Sequence, residues 1–194
     1  MPMKSPKIAL VWIAAIICTL ICIAVIITGI AVFVGYMVIH PRVPVISVKS
    51  AFLDTMHYSQ PGLLETKMII DIRAENDNTK AHASFSDTSF ILSFQGLVLA
   101  KLVADPFDVK KNSSTDFNYV VTSSEIPLDP ARMRQVDLSL KQNKIAFDLK
   151  GSSRARWRVG RLGSVKFWCH LNCELRFHFS NGTYIRSRCS SKSK

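Results

Sequence analysis

The chain has 194 residues, 48% of them hydrophobic, and its 25 lysines and arginines against 14 aspartates and glutamates give it a net charge of +11. A basic chain of this kind either binds nucleic acid, anionic lipid or an acidic polymer, or has a basic surface that is simply solvated. The sequence contains no nucleic-acid-binding motif, so we expect no nucleic-acid partner.

The first element is an apolar run from Ile8 to Ile39 that contains no charged side chain. A helix needs about 20 residues to cross the ~30 Å hydrocarbon core, and this run is longer. Lys4 and Lys7 would serve as the positive flank of a secretory signal peptide, but the apolar part of a signal peptide is only about 7–15 residues long. We therefore predict a short cytosolic N-terminus (residues 1–7) and one uncleaved transmembrane helix (residues 8–39).

The orientation of this helix does not follow from its flanking charges, which are nearly balanced. Asn112 and Asn181 each begin an N-glycosylation sequon, and we expect both to be glycosylated. Cys169, Cys173 and Cys189 lie in one C-terminal stretch, as oxidising compartments permit. Together these features predict a cytosolic N-terminus and a domain outside the cell or in a lumen.

Two prolines in the linker of residues 40–44 end the helix and begin an extended segment. About 150 residues remain, a usual size for one domain, which we place at residues 45–190 before a tail of residues 191–194. Apolar and polar residues alternate from Leu64 to Ala74, which predicts a strand with one buried face. Asn76-Asp77-Asn78 then supplies turn residues.

Further strands are predicted over residues 85–99, with an interruption at Gln95-Gly96, and over residues 117–122. Asp129 and Pro130 predict the N-cap and first position of a short helix. Strand-like alternation resumes after that helix, first in Val136, Leu138 and Leu140 and, beyond a turn at Gln142-Asn143, in Ile145, Phe147 and Leu149.

The clearest predicted strand is residues 165–179, where every odd position is apolar and most even positions are polar or charged. An antiparallel sheet with one wet face gives this pattern. About seven short strands and one minor helix predict a mainly β domain, an antiparallel β-sandwich.

A three-residue loop, Ser180-Asn181-Gly182, is expected to turn this strand back, with Gly182 in the left-handed conformation. This loop places Phe177 opposite Ile185 and Cys173 opposite Cys189, whereas a two-residue loop would put the cysteines on opposite faces. We predict a Cys173–Cys189 disulfide, with two buried thiols as the alternative. Cys169 faces the same core without an evident partner.

Catalytic and metal-binding patterns do not emerge from the sequence. The five histidines lack a metal-ligand spacing with cysteine or carboxylate, and Gly-Xaa-Ser-Xaa-Gly and phosphate-loop motifs do not occur. We expect no catalytic residue, no metal and no cofactor.

A basic stretch that includes Trp157 is the best candidate surface, because alternate arginines share one face of an extended segment. It would bind an acidic protein, an anionic lipid or a pectin-like polyuronate. The alternative is a strand edge protected by charge. Its cations are Lys150, Arg154, Arg156, Arg158, Arg161 and Lys166.

A short N-terminus, one span, a proline-flanked exit and an all-β domain resemble the plant late-embryogenesis-abundant group 2 proteins, also called hydroxyproline-rich glycoproteins. The likeness is to their membrane-anchored members, the relatives of non-race-specific disease resistance and harpin-induced proteins. It runs from about Pro44 to Cys189. The residues that carry it are Asn76-Asp77-Asn78, Phe85, Pro106-Phe107, Lys111-Asn112-Ser113, the Gly-Xaa-Xaa-Arg-Xaa-Arg stretch from Gly151 to Arg156, Cys173 and Cys189.

This resemblance implies a fibronectin-type-III-like sandwich at the plasma membrane, or alternatively in an endomembrane, with a role in defence or stress response and no catalysis. We therefore expect a non-enzymatic single-pass protein that displays a β domain for interaction. A membrane-tethered lipid-binding or lipid-transfer domain and a membrane–cell wall adhesion protein are the alternatives. The sequence does not indicate an oligomeric state.

Overall fold

The structure, a computed structural model, describes residues 6–39, 43–59, 62–79, 81–159, 163–186 and 189–193. The chain divides into two compact units, Met1–Pro41 and Arg42–Lys194. The elements are α1 (Pro6–Ile39), β1 (Val45–Ser59), β2 (Leu63–Asn76), β3 (Ala83–Phe94), β4 (Leu97–Ala104), β5 (Phe107–Val109), β6 (Ser113–Pro127), α2 (Pro130–Gln142), β7 (Lys144–Val159), β8 (Gly163–His178), β9 (Tyr184–Ile185) and β10 (Cys189–Ser193).

Helix α1 is the predicted apolar helix. Its stretch Leu10–Gly35 has 26 residues with a mean hydropathy of 3.1, and at 1.5 Å per residue it is long enough to cross the ~30 Å apolar core of a bilayer. Thr19 and Thr28 donate their hydroxyl hydrogens to the carbonyls of Ala15 and Ala24 at 2.8 and 2.7 Å. These hydroxyls therefore need no partner outside the helix.

The β domain consists of two antiparallel sheets. The smaller sheet has the strand order β1-β2-β6, and the larger has the order β10-β8-β7-β3-β4, with β5 paired to β3 and β9 to β8. This confirms the predicted mainly β, antiparallel fold, while the fibronectin-type-III-like label stays a prediction. Both sheets contribute to one core, whose largest fully buried side chains include Phe85, Phe90, Phe94, Phe147, Phe177, Ile46, Leu64, Met68, Ile70 and Ile72.

The predicted alternation is present in the two strands where it was clearest. In β2 the even-numbered residues from Leu64 to Asn76 are buried, whereas the odd-numbered ones are partly or fully exposed. In β8 the buried odd-numbered residues begin at Cys169 and end at Phe177. Because successive side chains of a strand point to opposite faces, the apolar residues of these strands form the inner faces of the two sheets.

Two predictions about the segment between β5 and β7 were wrong. Val136, Leu138 and Leu140 lie in α2, not in a strand: Val136 is buried and Leu138 is 48% exposed, as opposite faces of a helix require. The helix ends only at Asn143, which adopts the left-handed conformation at φ 51°. Strand β6 extends well beyond residues 117–122, because it pairs with β2 from Ser113 to Pro127 although most of its solvent-facing positions are polar.

The predicted disulfide between Cys173 and Cys189 is present, and the two residues are directly opposite in the pairing of β8 with β10. The register nearer the turn differs from the prediction, because Phe177 lies opposite Tyr184 and not opposite Ile185. The pairings of β9 and β10 with β8 are therefore offset by one residue.

The turn between β8 and β9 explains the register of β9. The His178 N–H donates to the Thr183 carbonyl at 2.9 Å, so the loop contains four residues and not the predicted three. Gly182 has the predicted left-handed conformation, with φ 66°. The Leu53 N–H donates to the Gly182 carbonyl at 3.0 Å, and this contact with β1 holds the loop in place.

A buried asparagine joins three chain segments at one end of the sheets. The Asn76 Nδ2 group donates to the carbonyls of Ala81, Val109 and Lys110 at 2.9, 3.2 and 3.2 Å. Its Oδ1 atom accepts the Asn78 N–H at 3.2 Å. The side chain is fully buried, so these bonds satisfy backbone groups that water does not reach.

We expect Asn76→Ala to lower the free energy of unfolding by about 3 kcal/mol, because it leaves several buried backbone groups without a partner. Urea unfolding of the full chain in detergent micelles measures this change. Asn118→Ala is the matched control: its exposed amide donates to Asp71 Oδ1 at 2.7 Å, and its removal should cost less than about 1 kcal/mol. Equal losses in the two variants would contradict the assigned role of Asn76.

We expect Cys189→Ser to lower the free energy of unfolding by about 3 kcal/mol, since the disulfide joins residues 16 positions apart and restricts the unfolded chain. Urea unfolding with and without a dithiol reductant provides the test. The reductant should destabilise the native chain to the level of the variant and leave the variant unchanged. Cys18→Ser in α1, which removes a free thiol, serves as the control.

Candidate interaction surface

Residues of the predicted basic stretch meet on the outer face of the larger sheet. In the pairing of β7 with β8, Arg154 lies opposite Trp168 and Arg156 lies opposite Lys166. Arg158 follows on the same side of β7, because residues two apart in a strand share a face. These side chains are exposed. We call the following set the basic face: Lys150, Arg154, Arg156, Arg158, Lys166 and Trp168. The predicted member Arg161 lies outside the described residues.

The aromatic residue of the basic face is not the one that the sequence indicated. Trp157 is only 6% exposed and points into the interior, since it occupies an inward position of β7. Trp168, from the neighbouring strand, is 40% exposed among the cations. The sequence contained a signal for the exposure of Trp168, because this residue is the apolar exception on the otherwise polar face of β8.

Arg154 is oriented by contacts on two sides. Its Cζ atom lies 5.9 Å from the centroid of the Trp168 ring, a cation–π distance. Its Nη1 atom lies 3.7 Å from Asp87 Oδ2. Asp87 has φ 51° and lies where an extra residue of β3 disturbs the register with β7. This bulge brings the carboxylate beside the arginine.

The close approach of β3 and β7 at this point explains Gly151. A Cβ atom at this position would lie 2.2 Å from the Ser89 carbonyl oxygen and 2.6 Å from the Phe90 Cα atom. Nearby, the hydroxyls of Thr88 and Ser153 share a buried hydrogen bond of 2.6 Å. In the Gly-Xaa-Xaa-Arg-Xaa-Arg stretch, the glycine is therefore required by packing in the interior, and the arginines lie on the outer face.

The charges of Arg156, Arg158 and Lys166 are uncompensated. Within the described parts of the chain, none of these three cations has a carboxylate at ion-pair distance. Arg156 and Lys166 are also directly opposite, an arrangement of like charges that destabilises an antiparallel pair. An anion bound here would relieve this repulsion, so the site favours a negatively charged partner.

The smaller sheet shows the opposite electrostatic arrangement. Asp116 accepts bonds from Lys49 Nζ at 2.7 Å and from Arg73 Nε at 2.6 Å. The hydrogen bonds from Arg73 and Lys49 hold the pKa of the Asp116 carboxyl well below its usual range. Cations on that face thus already have an internal partner, unlike the three free cations of the basic face.

A groove with a volume of about 240 Å³ borders the basic face at Arg156. Ser84 forms part of its lining and pairs with both Asp108 and Arg156, so these two charges stand on opposite sides of it. The Phe107 ring stacks on Phe85 at a centroid distance of 5.0 Å and closes the groove toward the core.

The other residues singled out in the sequence lie apart from this face. Asn112 is exposed at a turn, and Asn181 is at the tip of the last hairpin, where its Oδ1 accepts the Thr183 hydroxyl at 2.8 Å. Glycosylation at both stays a prediction. Cys169 is buried, donates to the Pro44 carbonyl at 3.4 Å, and has a pKa raised by burial to about 11. A search of the described residues finds no group of three or more potential metal ligands.

The chain is, by class, a β domain that follows an apolar helix long enough to cross a membrane. It is similar to NDR1/HIN1-like protein 12 of Arabidopsis thaliana, with 24% identity over 165 residues that cover 83% of this chain and 77% of the relative. No protein-family model matches the chain. A crystal structure of a protein from Archaeoglobus fulgidus covers 68% of this chain and 97% of its own, with 14% identity and a TM-score of 0.30, a likeness that carries no argument about the fold.

Proposed function

We propose that this chain is a non-enzymatic, single-pass membrane protein of the NDR1/HIN1-like group, and that its β domain binds an anionic partner through the basic face. The observation that carries the proposal is the set of uncompensated cations, with Arg156 directly opposite Lys166. The role in plant defence or stress response rests on the similarity to the Arabidopsis relative.

An interaction role is supported by the residue types and by their setting. Arginine and lysine on an open sheet face bind carboxylates and phosphates through charge-assisted hydrogen bonds. An acid–base enzyme needs titratable groups in a cleft with shifted pKa values, and the basic face is an exposed surface of permanent cations. Its rigidity comes from β7, which lies inside the larger sheet between β3 and β8.

An extracytosolic position of the β domain is supported by two features. The Cys173–Cys189 disulfide is of the kind that persists in oxidising compartments. The asparagines of the two sequons lie at turns and are exposed, as glycan attachment requires. We propose the plasma membrane as the location, with an endomembrane and a luminal domain as the alternative.

Glycosylation tests this orientation. In plant cells, we expect glycosidase treatment to increase the gel mobility of the native chain, and we expect the double variant Asn112→Gln, Asn181→Gln to show no such change. Asn118→Gln, which alters an exposed asparagine outside any sequon, is the control and should behave like the native chain. A native chain that carries no glycan and loses its β domain to protease added on the cytosolic side would contradict the orientation.

Charge reversal tests the basic face. We expect the triple variant Arg156→Glu, Arg158→Glu, Lys166→Glu to lose about tenfold or more in affinity for a soluble polyanion, since three attractive charges become repulsive. Fluorescence anisotropy of labelled poly-glutamate, with the full chain in phosphatidylcholine nanodiscs, measures this loss. The affinity of the native chain should also fall as salt is raised.

The matched control reverses three exposed cations elsewhere, in the variant Lys111→Glu, Arg134→Glu, Lys141→Glu. It changes the net charge by the same amount and should retain most of the affinity. If both triple variants lose affinity equally, binding depends on net charge alone and the basic face is not a site.

A further inference from the structure

We propose that the basic face recognises an extended acidic segment of a partner protein, in which carboxylates recur at every second residue. This inference rests on the proposed function and names the class of partner. It depends on the spacing of the cations, on the contacts that hold them, and on the acidic residues that surround them.

The spacing follows from the strand. Arg154, Arg156 and Arg158 occupy alternate positions of β7, so their Cα atoms repeat at about 6.8 Å along a straight line. An extended peptide has the same repeat for side chains on one of its faces. Aspartate or glutamate at every second position therefore places one carboxylate against each guanidinium.

The backbone that carries the line of arginines is held before a partner arrives, because strand β7 is paired on both sides, with β3 and with β8. The side chain of Arg154 is also held, by the Trp168 ring and by Asp87. A guanidinium presents its N–H groups as a planar fork that matches a carboxylate, so arginines at a fixed spacing along a rigid strand favour carboxylates at the same spacing.

Carboxylates limit where an acidic segment can lie. Asp148 and Glu174 are directly opposite on the same outer face at one end of the row, although each is close to a cation: Lys150 Nζ lies 3.7 Å from Asp148, and Arg176 Nη2 lies 2.6 Å from Glu174. Beside the row, Asp108 faces Arg156 across the groove. An acidic chain displaced toward β5 would therefore meet a like charge. The groove itself therefore suits an uncharged or basic side chain between two acidic ones.

A lipid surface is disfavoured by the same features. Phospholipid headgroups diffuse laterally, so they would gain nothing from a fixed row with a defined repeat. A bilayer also attracts mobile lysine-rich segments, whereas Arg154, Arg156 and Arg158 repeat along one rigid strand. Lipid binding and polyuronate binding are therefore outcomes that would contradict the proposal.

The test compares two labelled peptides of identical composition and charge, one with glutamate and serine in strict alternation and one with the glutamates in a single block. Anisotropy titrations use the full chain in phosphatidylcholine nanodiscs. We expect the alternating peptide to bind about fivefold more tightly, because only it places a carboxylate at each arginine.

Arg156→Lys is the diagnostic variant, since it keeps the charge and removes the planar fork. It should lose most of the preference for the alternating peptide, because that preference depends on the planar fork. Arg134→Lys on α2 is the control and should keep both affinities. A preference that survives Arg156→Lys would contradict the role of the arginine row.

The outcomes separate this inference from the proposed function. If both peptides bind equally and charge reversal abolishes their binding, the proposed spacing is wrong but the basic face still binds anions. Binding to phosphatidylserine vesicles or to polygalacturonate that depends on Arg156 and Lys166, without peptide binding, overturns the class of partner. Charge reversal without effect on any of these probes overturns both proposals.

Discussion

The register between β7 and β8 is the constraint on which the domain depends. It directs Phe147 and Leu149 into the core and, through the same alternation, directs Arg154 and Arg156 to solvent. A slip of one residue would exchange these sets, burying guanidinium groups and exposing the apolar core of the sheet. Because unpaired charges are very costly to bury, the core and the basic face are two consequences of one pairing.

Interactions on the other side of β7 fix this register more firmly. Gly151 admits the backbone of β3 at a distance that no side chain would allow, and the Thr88–Ser153 hydrogen bond is buried at the same level. The bulge at Asp87 then turns a carboxylate outward to Arg154. The packing of the interior thus determines how one arginine of the surface is held.

The two units of the chain satisfy their polar groups in different ways. In α1 the backbone bonds are internal and even the threonine hydroxyls find carbonyls within the helix, as a hydrocarbon environment demands. In the β domain most backbone groups form hydrogen bonds between strands. Loop backbone groups near Asn76 instead form hydrogen bonds with its side chain. On the basic face, by contrast, Arg156, Arg158 and Lys166 have no carboxylate partner among the residues that the structure describes. Such departures are expected where a surface has a function.

The sequence by itself determined whatever depends on neighbours along the chain. The apolar run, the alternation in β2 and β8, and the Asp129 cap of α2 are local patterns. The disulfide was predicted from a loop that is one residue shorter than the real one, and the cysteines still meet because the pairing of β10 with β8 is offset by one residue from that of β9. The tertiary structure decided what depends on distant strands. Trp168 became the aromatic residue of the basic face, in place of Trp157, because β8 pairs with β7 in one register. The hairpin loop has four residues where three were predicted, and its Gly182 accepts a hydrogen bond from β1, which is far away in the sequence. Contacts of this kind leave no periodic signal, so only the folded chain shows them.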